Sequence, residues 1–151
     1  MPDSSTPARA GTMGSLLRGA YGGLATRLYG RLAAKGHPDI RPAHSAVLRH
    51  LAPEGSRLTD LATAAGMTKQ SMAYLVGYLE ERGYLGLKPD PADGRARLVR
   101  LTARGQRLMD TLLALSAEIE AEAASQLGRD RIDALRQTLT DLNALFDRPE
   151  D

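Results

Sequence analysis

Two short helix-forming segments joined by a glycine, with two β-prone segments after them, constrain the fold of this chain more than any other feature. The helical segments are "LTDLATAAG" (residues 58–66) and "TKQSMAYLVGYLEER" (residues 68–82). Thr59 and Thr68 are residue types that cap helix N-termini, and Gly66 is the type that ends a helix. Two short helices with a tight glycine-containing turn between them are typical of a helix-turn-helix motif.

A polar turn follows the second of these helices. The segments "YLGLK" and "ARLVRL" are β-prone and flank "PDPADGR" (residues 89–95), which predicts a β-hairpin with Arg95 and Arg97 at its far end. A helix-turn-helix followed by a hairpin is a winged helix, and we expect this core at about residues 41–101. The predicted fold class is therefore mainly α with a small β-hairpin wing.

Apolar stripes mark three further helices, expected at about residues 15–34, 102–127 and 129–147. Within each, apolar residues recur at intervals of three and four, which places them on one helical face. Packing within one chain is an alternative, but three such helices exceed what a small winged core needs, so we expect dimerisation helices. Residues 1–14 lack the pattern and are expected to form a disordered leader before a single domain of residues 15–151. The predicted dimerisation residues are Leu17, Leu24, Leu28, Leu135, Leu139, Leu142 and Phe146.

Charge and composition narrow the classes of function. Residues 1–117 carry 16 Lys+Arg against 9 Asp+Glu, whereas residues 118–151 carry 4 against 9. A basic body with an acidic end indicates one side that faces a polyanion, although charges that only solvate the surface are an alternative. The absence of Cys excludes disulfides, thiolate catalysis, Cys-based zinc sites and cysteine redox sensing. No apolar run approaches ~20 residues, so we expect no membrane span and a cytoplasmic location.

The helix that begins near Thr68 has the composition of a recognition helix. At about 100° per residue, Met72, Leu75, Val76 and Leu79 share one face, which must be the buried one. The opposite face is rich in donors and acceptors near its N-terminus, the part of a recognition helix that reaches base edges in the major groove. The residues expected to contact double-stranded DNA are Thr68, Lys69, Gln70, Ser71 and Tyr74.

The wing is expected to add a second contact. Arg95 is suited to the minor groove, where the negative potential is deepest over A·T-rich DNA. Asp93 is expected to brace Arg95 or the turn, since a carboxylate would be repelled by a polyanion. Lys88 and Arg97 are expected to contact the DNA backbone, which positions a protein without specifying sequence.

The chain resembles the MarR family of bacterial winged helix-turn-helix transcriptional regulators. The resemblance rests on "TKQSMAYLVGYLEERGYL" as recognition helix and on the wing motif "DGRA" followed by "LTARG", and it covers nearly the whole chain past the leader. It implies a triangular homodimer joined by the first, fifth and sixth helices, bound to a pseudo-palindromic operator and usually acting as a repressor. The sequence departs from the commonest family pattern at Gly77 and Tyr78, where charged residues are frequent.

The resemblance also implies a small-molecule effector, often an aromatic or phenolic anion, bound between the dimer helices and the winged lobe. Tyr21, His44 and Met109 are the residues available for such a pocket, with His37 nearby. A protonated histidine would bind an anion, although a lone histidine is more often structural.

Two other classes of function compete with sequence-specific regulation. A winged-helix protein-interaction module would not need Arg95 or the polar face around Gln70, and a nonspecific architectural DNA binder would show little sequence preference. Catalysis is not expected, because the three histidines lack metal-site spacing and no nucleophile motif or phosphate loop is present. We therefore assign no catalytic residue, no metal ligand and no cofactor.

Overall fold

The computed structural model describes residues 11–149, which form six α-helices and one two-stranded antiparallel sheet. A 3-10 turn, Pro42–His44, precedes the second helix. The mainly helical fold with a hairpin wing is confirmed. The described residues divide into two compact units, residues 11–113 and residues 114–149. The elements are α1 (Met13–Ala34), α2 (Ser45–Leu48), α3 (Leu58–Ala65), α4 (Lys69–Glu81), β1 (Leu85–Asp90), β2 (Asp93–Leu101), α5 (Ala103–Leu127) and α6 (Arg129–Phe146).

Helix α1 begins slightly earlier than the stripe pattern predicts. The side chain of Thr12 accepts the backbone N–H of Ser15 at 3.2 Å, and this N-cap starts the helix at Met13 rather than at residue 15. The leader expected at residues 1–14 therefore overlaps the first two residues of α1. Residues 1–10, which make up most of that leader, lie outside the described residues.

The helix-turn-helix consists of α3 and α4. The prediction of Thr59 as the N-cap of α3 was wrong, because Ser56 is held extended by paired hydrogen bonds to Val99 and the helix starts directly after Arg57. Gly66 ends α3 in the left-handed conformation (φ 64°), which glycine adopts without a steric cost. Thr68 caps α4, as predicted.

The core of the first unit lies beneath α4. Met72, Val76 and Leu79 are buried on one face of this helix, which confirms the predicted inner face, while Leu75 is only half-buried. Full burial of side chains of this size stabilises the folded state by about 1.5–3 kcal/mol each. The remaining large and fully buried side chains of the unit are Tyr84, Leu32, Leu61, Leu108, Val47 and Val99.

The wing is a hairpin of β1 and β2 with a short reversal. Leu85 pairs with Leu101 at its base, and Asp90 pairs with Asp93 at its end, so the chain reverses over Pro91 and Ala92 alone. The prediction of a turn across residues 89–95 was therefore too long. The strand register shifts between Pro89 and Asp90, which places the extra residues of β2 in a bulge.

The start of α5 packs closely against the end of the wing. Thr102 caps this helix by accepting the backbone N–H of Gly105 at 3.1 Å, as its position in "LTARG" predicts. A Cβ at Gly105 would collide with the carbonyl oxygen of Tyr84, so only glycine fits there without a backbone shift.

The second unit comprises the end of α5 and all of α6. Leu115, Ile119, Ala124 and Ile132 are buried in it. The guanidinium of Arg136 donates to the carboxylate of Glu120 and links α6 to α5. The break between the helices falls at Gly128 (φ 98°).

Candidate nucleic-acid interface

The N-terminus of α4 presents a pair of hydroxyl groups at the surface. Thr68 Oγ1 accepts the backbone N–H of Ser71 at 3.1 Å and donates its own hydrogen to Ser71 Oγ at 2.9 Å. Because Ser71 Oγ is the acceptor in this pair, it keeps its hydrogen for donation to an external acceptor. The first turn of α4 therefore combines exposed backbone N–H groups with a hydroxyl donor, an arrangement suited to phosphate or base acceptors.

The outer face of α4 is exposed and polar. Lys69, Gln70 and Ala73 are exposed, and Tyr74 is 74% exposed in the middle of the helix. The inner face of the same helix is buried, so these side chains point away from the core. The structure thus brings all five residues predicted for the recognition helix to one surface.

The second half of α4 is anchored to the protein rather than free for a ligand. The hydroxyl of Tyr78 donates to the carbonyl oxygen of Asp39 at 3.0 Å, and its ring stacks on His44 with centroids 4.7 Å apart. The guanidinium of Arg82 lies 3.4 Å from the centroid of the same ring. Tyr78, which departs from the commonest family pattern, therefore fixes α4 to the segment before α2.

The surroundings of His44 do not favour the anion-binding role expected for it. His44 is 5% exposed, and its Nδ1 accepts the backbone N–H of Arg41 at 2.9 Å. Burial and the positive charges of Arg82 and Arg41 lower its pKa, which favours the neutral imidazole. Of the other predicted effector residues, Tyr21 is 60% exposed and Met109 is half-buried.

A groove of about 590 Å³ lies between the start of α3 and the wing. None of the three predicted effector residues lines it, so it does not correspond to the pocket that the sequence suggested. Both acidic and basic side chains line it, and these are Glu54, Arg57, Asp60, Lys88, Asp90 and Arg100.

The predicted wing residues lie on the exposed hairpin. Asp93 Oδ1 accepts the backbone N–H of Arg95 at 3.1 Å, which is the bracing contact expected of this carboxylate. Arg95 lies in the bulge of β2 beside the reversal, and Arg97 stands opposite Pro89, so both arginines lie in β2 near the far end of the hairpin rather than in the turn itself. The side chains of Lys88, Arg95 and Arg97 are exposed, and within residues 11–149 none of them forms an ion pair.

An ion pair that the sequence did not reveal attaches the wing to the helix-turn-helix. Arg57 Nε and Nη2 donate to Asp90 Oδ2 at 2.9 and 2.7 Å, while Asp90 Oδ1 accepts the backbone N–H of Ala92 at 2.9 Å. The pKa of Asp90 is lowered, most strongly by the hydrogen bond from the N–H of Ala92 and next by the hydrogen bond from the guanidinium of Arg57. The two partners are 33 residues apart, and no local pattern connects them.

The sequence also did not reveal a hydrogen-bonded cluster around the buried side chain of Tyr84. The hydroxyl of Tyr84 lies 2.7 Å from Nδ1 of His37 and accepts a hydrogen bond from Nη2 of Arg104 at 3.0 Å. Burial and the charge of Arg104 lower the pKa of His37, so the neutral ring can accept the phenolic hydrogen. This cluster ties the loop after α1 to the start of α5.

The predicted dimerisation residues are incompletely buried in the single chain. On α1, Leu17 and Leu24 are 37% and 50% exposed, and on α6, Leu135 and Phe146 are 51% and 65% exposed. The three others, Leu28, Leu139 and Leu142, are half-buried.

Among residues 11–149, no group of three or more His, Asp or Glu side chains could hold a metal ion. The same part of the chain contains no helix whose length and apolar content would allow it to cross a membrane.

Comparison with known proteins connects this surface to transcription factors. The model of the MarR family matches residues 39–96, which include α4 and most of the wing. The transcriptional regulator HosA of Escherichia coli O111:H- is 30% identical over 101 residues, or 66% of this chain and 75% of HosA.

Solved structures of the repressor CouR share the fold. The structure of CouR bound to a 23-mer DNA duplex has a TM-score of 0.72 and 25% identity, and the match covers 93% of this chain and 99% of that one. CouR from Rhodococcus jostii RHA1 bound to p-coumaroyl-CoA has a TM-score of 0.71 and 24% identity, with 97% and 100% covered. The fold of this chain is thus shared with a repressor that has been solved in complex with DNA.

Proposed function

The chain belongs to the MarR family of transcriptional regulators, and on that premise we propose that it recognises a specific DNA sequence through α4 and the wing. The observation that carries the proposal is the outer face of α4, where polar side chains and an aromatic ring are exposed opposite a buried apolar face. The regulator would act in the cytoplasm, where bacterial DNA is located.

The residues of α4 take distinct roles in this proposal. Gln70 would form the bidentate contact that glutamine makes with adenine, and Tyr74 would contact a thymine methyl group or a phosphate. Ser71 would donate its free hydrogen to a base or phosphate, while Thr68 holds it in place. Lys69 lies in the first turn, where its charge and the helix N–H groups favour a phosphate.

The wing supplies the second set of contacts. Arg95 would enter the minor groove next to the half-site, where a narrow A·T-rich groove attracts arginine. Lys88 and Arg97 would neutralise phosphates and so add affinity that falls as salt rises. Asp93 would not touch DNA but would hold the backbone of Arg95, as it does in the free protein.

A homodimer would present two such surfaces to one operator. Exposed apolar side chains on α1 and α6 support self-association, because soluble proteins seldom leave many large apolar residues in water. A two-fold dimer binds half-sites about one helical turn apart, so the operator would be pseudo-palindromic. The exposed large apolar residues of these two helices are Met13, Leu16, Leu17, Tyr21, Leu24, Leu135, Leu145 and Phe146.

We further propose that the protein is a repressor released by a small aromatic or phenolic effector. The support is the family membership together with CouR, a repressor whose fold is shared and which has been solved with p-coumaroyl-CoA. Tyr21 and Met109 are the residues we propose for contact with such a ligand. The buried, hydrogen-bonded His44 would line the site as a neutral ring.

The alternative is a nonspecific architectural DNA binder, which the basic wing and the balance of charge in residues 1–117 would also suit. Selection of random duplex DNA by the purified protein at near-physiological salt separates the two. Enrichment of an inverted repeat is the expected result. Retention of DNA without a consensus would favour the architectural function, and failure to retain any duplex would contradict both.

A further inference from the structure

We propose that Arg57 and Asp90 are positioning residues that hold the wing, and with it Arg95, in the orientation required for operator binding. Neither residue belongs to the surface assigned to DNA contact. The inference rests on the proposed function, since it concerns how the wing reaches DNA. Its physical basis is the way the hairpin is attached to the helix-turn-helix.

The hairpin is attached to the residues before α3 at two places. At the base, Ser56 and Val99 exchange backbone hydrogen bonds of 3.0 and 2.8 Å across the outer edge of β2. At the far end, the next residue, Arg57, reaches Asp90. Val99 pairs with Leu87 in the ladder, and Asp90 lies three residues further along β1, or roughly 10 Å at ~3.3 Å per residue. Arg57 therefore supports the part of the wing that the base contact does not reach.

A short series of contacts connects Asp90 to the backbone of Arg95. One carboxylate oxygen binds Arg57 and the other binds the N–H of Ala92, which fixes the reversal. Asp90 is also the ladder partner of Asp93, whose side chain binds the N–H of Arg95. Asp90 itself is 8% exposed, so its carboxylate is largely shielded from water, while the side chain of Arg57 is 41% exposed. Every step from α3 to the backbone of Arg95 is thus a hydrogen bond or a strand pairing.

The attachment matters because a two-stranded hairpin is only marginally stable on its own. A free wing end would have to be ordered when DNA binds, and that ordering would reduce the affinity, whereas a wing fixed beforehand avoids the loss. Arg57 itself adds little attraction for DNA phosphates, because Asp90 neutralises its charge at hydrogen-bond distance.

The direction in which one substitution changes the affinity for DNA separates positioning from simple electrostatics. Asp90→Asn removes a negative charge next to a DNA-binding surface and releases Arg57, so electrostatics alone predicts tighter binding. Positioning predicts weaker binding, because the Arg57 contact to the wing loses its charge. The matched control is Asp60→Asn, which removes the same charge from the first turn of α3, where the carboxylate is exposed and lines the same groove.

The expected sizes follow from the role of Arg95. Loss of a specific arginine contact weakens operator binding about 5- to 150-fold. Asp90→Asn displaces this arginine without removing it, so we expect a smaller loss of about three- to tenfold. Asp60→Asn should change the affinity by less than about twofold or increase it slightly.

A double-mutant cycle adds a measurement that a general loss of stability would not change. If Asp90 acts through Arg95, Asp90→Asn should have an effect of less than about twofold when Arg95 is already alanine. Arg57→Gln should behave like Asp90→Asn in both backgrounds. Thermal unfolding of each variant, and hydrogen exchange of the Ala92 and Arg95 amides, would show a folded protein with a less protected wing.

The experiment uses the full chain and the duplex that the wild-type protein selects, with affinity measured by fluorescence anisotropy. Weaker binding by Asp90→Asn and Arg57→Gln, absent in the Arg95→Ala background, is the expected result. Unchanged or tighter binding by folded Asp90→Asn would overturn the positioning role and leave the proposed function intact. A wild-type protein that selects no sequence would instead overturn the proposed function, and the positioning role with it.

Discussion

The buried hydroxyl of Tyr84 allows a stability prediction with few free assumptions. Tyr84→Phe keeps the shape of a fully buried ring and its contact with Arg104, but it removes the hydrogen bonds to His37 Nδ1 and Arg104 Nη2. Each net hydrogen bond contributes about 0.5–1.5 kcal/mol. The partner Arg104 is exposed and can bind water instead, whereas His37 is buried and loses its partner. We therefore expect the free energy of unfolding to fall by about 2 kcal/mol, mainly through His37.

Urea denaturation followed by circular dichroism measures this change. With a slope of about 1–3 kcal/mol per M urea, the midpoint should fall by roughly 1 M while the slope stays constant. The matched control is Tyr74→Phe. Because Tyr74 is 74% exposed, this substitution should change the free energy of unfolding by less than about 0.5 kcal/mol. All variants are compared at one protein concentration, because self-association would otherwise shift the midpoint. A loss of less than about 0.5 kcal/mol for Tyr84→Phe would refute the role given to this cluster.

Three further predictions concern DNA binding, assembly and pH. Arg95→Ala should weaken operator binding by about 1–3 kcal/mol in a fluorescence anisotropy titration, and unchanged affinity would remove Arg95 from the interface. Aspartate in place of both Leu139 and Leu142 should give monomers in analytical ultracentrifugation, whereas a dimer would place the interface elsewhere. The pKa values of His37 and His44 are lowered by burial from 6.5, so protonation favours the unfolded chain and stability should fall as pH drops through that value. A urea midpoint that rises as the pH is lowered from about 7.5 to about 5.5 would instead show that the folded protein favours the charged rings.

Local signals in the sequence predicted most of the fold. The end of α3 at Gly66 and the cap of α4 at Thr68 were predictable because helix termini depend on the conformation and side chain of single residues. The inner face of α4 was predictable because helical periodicity alone determines which side chains share a face. The polar outer face followed from the same geometry.

Contacts between distant residues were not predictable in this way. Arg57 and Asp90 are separated by 33 residues, and His37 and Tyr84 by 47, so their pairing depends on how the elements pack. In the wing, such a contact between distant residues accompanies a local structure that the sequence did not predict. The reversal is two residues long, with the Ala92 N–H bound to the Asp90 carboxylate, and Arg95 therefore lies in β2 instead of in the turn.

Tyr78 illustrates how tertiary contacts decide the use of a helix face. Periodicity places it at the margin of the outer face of α4, but its hydroxyl and ring are taken up by Asp39, His44 and Arg82. The part of α4 that is available for the proposed DNA contact is therefore limited to its first two turns. That limit could not be read from the helix alone.

The most direct test of the account is to map where α4 and the wing lie on the selected operator. The chain has no cysteine, so Ala73→Cys on α4 and Ala92→Cys on the wing each provide one attachment point for an iron chelate that cleaves nearby DNA. Both positions are exposed, and neither side chain is assigned a DNA contact. We predict that the chelate on α4 cleaves within each half of the inverted repeat and that the chelate on the wing cleaves at its outer flanks. Cleavage at the same place from both positions, or from neither, would contradict recognition by α4 with the wing beside it.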